Sequence, residues 1–181
     1  LGLTIVLNGQ SYVSKNGLLD LVNDNLSEEP CYAPIHLSGE DIEVVITHGH
    51  GYGETYFSFV NGQYTSQGGT HQAAFREAVV KTLKEFYKTF AKKDFDPQDI
   101  RQGIIGAISI QIQEPNFEGQ TKTKLGSTYM WETDVQNEDG THTYEQGPTI
   151  RSAVNEFLKT NLDNYLHMHK EIIPVLQQKI T

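Results

Sequence analysis

Cysteine is nearly missing. Cys31 stands alone in 181 residues, so no disulfide can form within the chain and a reducing cytosol fits. A lone cysteine with no catalytic string around it reads as a small buried or half-buried side chain. Long hydrophobic runs are missing too. None reaches the ~18 apolar residues of a membrane span, and residues 1–7 lack the basic segment of a secretion signal. The chain does not begin with methionine, so residues 3–7 are expected to be a strand entered in mid-protein. Positive charge is scarce: 14 Lys plus Arg face 23 Asp plus Glu, a net −9. That balance argues against a free-standing nucleic-acid binder, although a larger assembly can supply local basic contacts. The string Gly-x-x-x-x-Gly-Lys-Ser/Thr is absent as well, so the chain has no phosphate loop of that kind.

What is present alternates between strand and helix. Residues 3–7 read as a strand closed by Asn8-Gly9. Leu18, Leu19, Leu21, Val22 and Leu26 are spaced as in a short amphipathic helix. Residues 27–38, with Pro30 and Pro34, read as loop. Ile42, Val44 and Ile46 share one face of a strand, and residues 56–60 return after Gly49, Gly51 and Gly53, so the pair is expected to be a β-hairpin.

Phe75, Val79, Leu83, Phe86 and Phe90 then form one stripe of a long helix, with Thr70 as the expected cap. Asp96, Pro97 and Gly103 frame a single helical turn. Residues 104–113 read as a strand with Ile108, Ile110 and Ile112 inward and Ser109, Gln111 and Gln113 outward. Residues 114–127 read as a polar loop, and 131–147 as a flexible insertion or hairpin around Asp139-Gly140. Pro148 opens a helix striped by Ile150, Val154, Leu158, Leu162 and Tyr165, and a last short helix follows over 171–180. The order predicts an α+β fold, a sheet of about four strands with helices on one face.

Several polar residues carry chemistry. Lys122 offers a mobile ammonium suited to a phosphate oxygen, Gln120 an amide donor, and Gly119 a close backbone approach. By residue type alone, a solvated lysine-rich turn is the plainer reading, and Lys124 reads as a solvated charge. Arg76 and Lys81 lie off the apolar stripe of the long helix, on what reads by itself as a solvated face. His48 and His50 could join His71 around a metal. The glycines between them favour a hairpin tip, and His71 is expected to hydrogen-bond near the helix start. His167 and His169 read as surface residues. Gly68-Gly69 could hold an anion at a helix N-terminus, but a structural turn is preferred.

Three blocks, in order, resemble one family. Ser58-Phe59-Val60-Asn61-Gly62 with Gly68-Gly69-Thr70-His71 and Phe75-Arg76 is similar to a strand–loop–helix signature of the ATPase subunit of type II DNA topoisomerases. Asp99-Ile100-Arg101-Gln102-Gly103-Ile104 resembles a second string of that family. Pro115-Asn116-Phe117-Glu118-Gly119-Gln120-Thr121-Lys122-Thr123-Lys124-Leu125-Gly126 resembles a third almost letter for letter. Ala74 stands where the family has glycine, Gln102 where it has glutamate, and 131–147 has no counterpart in the short family pattern.

The resemblance implies the transducer segment of a bacterial, cytoplasmic ATPase chain of gyrase B or topoisomerase IV B type, part of an isomerase. Its fold is the one shared with GHMP kinases and MutL, containing a left-handed β-α-β crossover. Residues 1–16 would be a remnant strand of the preceding ATP-binding domain, 17–166 the transducer, and 167–181 the start of a helix toward the cleavage domain. Gln120 and Lys122 would contact the γ-phosphate of ATP held with Mg2+ in the neighbouring domain, with Lys122 as the catalytic charge. Arg76 and Lys81 would face the DNA cavity.

The implied partners are the ATP-binding domain, a second ATPase subunit closing a gate, a cleavage subunit of gyrase A or topoisomerase IV A type, and DNA. The family's general base, magnesium ligand and cleavage tyrosine lie elsewhere. The segment alone is therefore expected to hold no metal or cofactor and to show neither ATPase nor cleavage activity. Three alternatives stay open: a MutL-type transducer, a fragment of a GHMP-type small-molecule kinase, and a plain interaction module.

Overall fold

The computed structural model describes residues 3–7, 10–14, 17–119 and 122–180, the first two segments by their backbone alone. Its elements are β1 (Leu3–Leu7), β2 (Gln10–Ser14), α1 (Gly17–Asp24), β3 (Ile35–Ser38), β4 (Ile42–His48), β5 (Thr55–Val60) and β6 (Gln63–Tyr64). They continue as α2 (Thr70–Phe90), α3 (Pro97–Arg101), β7 (Ile104–Ile110), β8 (Glu132–Gln136), β9 (His142–Gln146), α4 (Ile150–Met168) and α5 (Ile172–Ile180). The architecture is α+β, as the pattern predicts.

The main sheet runs β3-β4-β7-β5-β6. β7 is nearly all Ile, Ala and Gly and is buried on both faces, so it belongs in the middle of a sheet. It pairs antiparallel with β4 (Ile42↔Ile110) and parallel with β5 (Thr55↔Ile105). A parallel pair needs a long crossover, which α2 and α3 supply.

This arrangement corrects the expected hairpin. β4 and β5 are not neighbours, because β7 lies between them. The glycine-rich turn between them is tied to the end of α3 instead. Gly49 N–H donates to the Gly103 carbonyl at 2.7 Å, and Gly103 N–H to the Gly53 carbonyl at 3.1 Å.

One face of the sheet presents Ile42, Val44, Ile46, Val60 and Ile108 to Phe75, Val79 and Leu83 of α2 and to Val154, Leu158 and Leu162 of α4. Burying each such side chain contributes roughly 1.5–3 kcal/mol. The opposite face presents Val45, Phe59 and Ala107, and Leu18, Leu21 and Val22 of α1 cover it. The helices therefore do not all lie on one face, and the sheet has five strands rather than about four. The reason is that β4, β5 and β7 are apolar on both sides, and water is excluded from both. Ser109, expected outward, is accordingly 3% exposed.

Smaller corrections follow the same logic. Residues 3–7 form a strand as expected, and a second strand that the pattern does not announce, 10–14, pairs antiparallel with it (Leu3↔Ser14); 35–38 is a strand rather than loop, paired Ile35↔Ile46. The turn Asn8-Gly9 lies outside the described residues. Gly69, not Thr70, occupies the cap position of α2. Asp96 does cap α3, accepting from Gln98 N–H at 2.8 Å. Thr149 caps α4, accepting from Ser152 N–H at 3.0 Å. The α4 stripe ends on buried Leu166 instead of Tyr165, which stacks on His169 at 4.0 Å. Of the two readings for 131–147, the structure adopts the hairpin: β8 pairs with β9 (Glu132↔Gln146), and nearly all of it is exposed.

Candidate functional site

The site is built where the first and third motif blocks meet. Residues 65–68 form a turn, with Gly68 N–H donating to the Thr65 carbonyl at 2.9 Å, that leads as a short strip through Gly69 into α2, and 123–125 lie alongside it. Gln67 N–H donates to the Thr123 carbonyl at 2.8 Å, Leu125 N–H to the Gly68 carbonyl at 3.1 Å, and Thr70 N–H to the Leu125 carbonyl at 3.0 Å. The Thr70 hydroxyl, freed from capping, donates to the Ser127 carbonyl at 2.6 Å. Gly68-Gly69 is thus a structural turn occupied by the neighbouring chain, not an open cradle for an anion. Gly69 has φ of 136°, and a Cβ there would lie 2.4 Å from the Leu125 carbonyl oxygen.

The loop closes on itself as well. Glu118 N–H donates to the Lys124 carbonyl at 2.8 Å, and Gly126 N–H to the Asn116 carbonyl at 2.7 Å. Gly119 has φ of 80°, a left-handed turn that glycine adopts without strain.

Beneath the loop lies a buried polar cluster made of the first block. Thr65 Oγ1 donates to the Ser58 carbonyl at 2.7 Å. That leaves His71 Nε2 as the donor to Thr65 Oγ1 at 3.1 Å. His71 is fully buried, and its Nδ1 has no partner among the described residues. A protonated ring would bury an unpaired N–H, so burial lowers its pKa from 6.5 to about 4. His71 therefore does bond near the helix start, as expected.

His48 is buried elsewhere, accepting from the Tyr32 hydroxyl and donating from Nε2 to the Ile100 carbonyl at 2.8 Å. Burial lowers its pKa to about 4 as well. His48 is thus no part of a hairpin tip, and it does not meet His71. Among the described residues no group of three or more His, Cys, Asp or Glu is placed to hold a metal. Cys31 is half-buried, with its thiol raised by burial.

The two rings make stability pH-dependent. The unfolded chain takes up protons near pH 6.5, and the folded chain does so only near 4. The stability they contribute is therefore complete above about 6.5 and is lost as pH falls toward 4, by on the order of 3 kcal/mol per ring. Urea midpoints measured from pH 7 to 4 should fall steeply, and less so in a His71→Gln protein. A flat profile between 6.5 and 4.5 would contradict the burial of both rings.

The loop carries its lysines differently. Lys124, a solvated charge as expected, is half-exposed and pairs through Nζ with Glu118 at 2.9 Å. Lys122 is exposed and has no ion pair among the described residues. Its carbonyl accepts from Gln63 Nε2 at 3.1 Å. Gln120 lies outside the described residues.

Arg76 is held by Glu54, with Nε at 2.9 Å from Oε1 and Nη2 at 3.1 Å from Oε2. The Arg76 hydrogen bonds pull the Glu54 carboxyl below its ordinary range. Lys81 is exposed. Five helical residues separate it from Arg76, about 140° around the axis, so the two cations do not share a face. Sequence reasoning missed Glu54, Gln63, Gln67 and Glu118 as partners of these groups. Glu54, Gln63 and Gln67 belong to the site only through contacts across the fold, while Glu118 meets Lys124 within the loop itself, and no local pattern announces any of them.

The family model for DNA gyrase B matches residues 11–136. The chain is 46% identical over 127 residues to the DNA topoisomerase 4 B-subunit of Borreliella burgdorferi, a match covering 70% of this chain and 20% of that protein. It is 30% identical over 182 residues to a DNA gyrase B-subunit of Cytophaga hutchinsonii, covering 94% of this chain and 34% of that protein. The chain thus spans between 20% and 34% of these relatives' length.

In fold alone, it resembles the 43K ATPase domain of Thermus thermophilus gyrase B, with a TM-score of 0.65 at 22% identity over 96% of this chain and 44% of that one. The topoisomerase IV ATP binding domain of Francisella tularensis gives 0.61 at 19% identity, over 94% and 42%. The family match runs through the strip, the loop and the buried cluster, and it covers most of the chain: the chain belongs to the DNA gyrase B family.

Proposed function

We propose that this chain is the transducer segment of an ATP-dependent type II DNA topoisomerase of gyrase or topoisomerase IV type. In this reading residues 17–166 form the coupling domain, 1–16 end the ATP-binding domain, and 167–181 lead toward the cleavage domain. The observation that carries it is Lys122: an exposed cation, free of ion pairs among the described residues, on a loop stitched to the start of α2. The relatives' names supply the reaction, a change of DNA topology, and its dependence on ATP is part of our reading.

The charge logic is simple. Nucleotide and Mg2+ would be held chiefly by a domain outside this chain. Lys122 would reach the terminal phosphate, with Gln120 beside it, and compensate the charge that grows during hydrolysis. β1 lies against β6, the edge strand that also carries Gln63. The loop therefore projects at the edge where the upstream domain would continue. When the terminal phosphate leaves, Lys122 loses its anchor. The strip of backbone hydrogen bonds then passes the shift to α2, a rod about 30 Å long packed on α4. Two such subunits, with a cleavage subunit, would gate a DNA segment.

The deciding experiment is ATP turnover by the full subunit with Lys122→Ala, beside Lys124→Ala as control. Near-normal turnover in Lys122→Ala would remove the phosphate-contact role.

Arg76 and Lys81 are the α2 cations we assign to weak, salt-sensitive contacts with the transported duplex, each at a different point because they stand on different faces of the helix. Because Glu54 already holds Arg76, Arg76→Ala is expected to weaken DNA binding by the assembled enzyme less than threefold at low salt. A tenfold loss would mean that the pair with Glu54 opens on DNA.

A further inference from the structure

We propose that Gln63 is a positioning residue for Lys122: its side-chain amide holds the Lys122 carbonyl and so sets where the ammonium stands. The inference rests on Lys122 contacting phosphate, and it adds a residue outside the three motif blocks.

The return limb of the loop is attached to the strip before α2 by backbone hydrogen bonds. Thr123 and Leu125 are held by backbone groups of Gln67, Gly68 and Thr70. Lys122 is held differently. Among the described residues its hydrogen bond is the one from Gln63 Nε2, at 3.1 Å. A bond to a carbonyl orients the peptide plane that follows the Cα, and hence the direction of the Cα–Cβ bond. Lysine's flexible stem cannot correct a misdirected root without losing further rotamer freedom.

Gln63 itself stands on rigid ground. It pairs with Val60 across a two-residue turn in which Asn61 and Gly62 both have positive φ, 50° and 84°. Asn61 locks that turn to β7 and the residues just past it: its N–H donates to the Ile110 carbonyl at 2.9 Å, and its side chain donates to the Ile112 carbonyl and accepts from Ile112 N–H, both at 3.0 Å. The main sheet thus reaches the tip of the loop through one amide. Gln63 is exposed at its donor end, so its loss should cost the fold little.

The test uses the full-length subunit and compares Gln63→Met, Lys122→Ala and the double variant. Methionine keeps the length and removes the donor. A displaced reacting group costs up to ~100-fold, and one lost hydrogen bond should cost a fraction of that. Gln63→Met is expected to lower kcat for ATP about 5- to 10-fold, with KM within twofold and the melting temperature unchanged. The double variant should be no slower than Lys122→Ala alone, because the amide acts only through the lysine.

An unchanged kcat in Gln63→Met would overturn the proposal. So would an equal further drop in the Lys122→Ala background, which would show that the amide acts through something else. If Lys122→Ala itself is near normal, the phosphate contact falls and this role falls with it. If Lys122→Ala is slow while Gln63→Met is silent, only the positioning role is lost.

Discussion

Lys122→Ala in the full subunit is expected to lower ATP turnover by about 100- to 1,000-fold, the usual loss when a preorganised group facing developing charge is removed. The melting temperature should stay within ~1 °C, because Lys122 is exposed and has no ion pair among the described residues. Lys124→Ala is the matched control. It removes the same charge from the same loop, two residues away, but from a side chain already turned toward Glu118 at 2.9 Å. That half-exposed pair contributes little to stability, and turnover should change less than twofold. Equal losses in both variants would point to general loop charge rather than one placed ammonium.

Gly69→Ala is expected to be the most damaging small substitution in the described chain. Two penalties coincide there. A φ of 136° is a conformation that side-chain-bearing residues rarely adopt, and the new Cβ would stand 2.4 Å from Leu125 O and 2.5 Å from Leu125 N. Both atoms are backbone, fixed by bonds to Thr70 and Gly68, so neither can swing aside. Strain and overpacking together should cost about 4 kcal/mol, or roughly 8–16 °C in melting temperature for a domain of this size. Gly119→Ala offers the contrast. Its φ is also positive, 80°, but nothing among the described residues lies within 4 Å of the added atom, so about 1 kcal/mol should suffice. A Gly69→Ala protein that melts within 2 °C of the parent would refute the pairing of strip and loop.

The two glycines show how far sequence reasoning carries at this site. Both stand out in the strings around them, yet their needs differ, and the difference is visible only in the environment. Thr70 teaches the same lesson. Its place ahead of an apolar stripe makes it a good expected cap, but its hydroxyl bonds Ser127, 57 residues away, and Gly69 takes the cap position. Lys122 is legible as a charge on a polar loop. The amide of Gln63 beneath it is not, because a bond across 59 residues leaves no period in the sequence.

By itself the sequence determined the α+β class, the long helices α2 and α4 with their apolar stripes, the turn of α3, and the three strings that carry the family. These are properties of neighbours along the chain, where spacing alone says which side chains share a face. The tertiary structure decided that β7 separates β4 from β5, that α1 covers the second face, that the loop is stitched to the start of α2, and that Arg76 belongs to Glu54. Each of those depends on which distant surfaces exclude water together and which polar groups then find partners, a choice made by the whole chain at once.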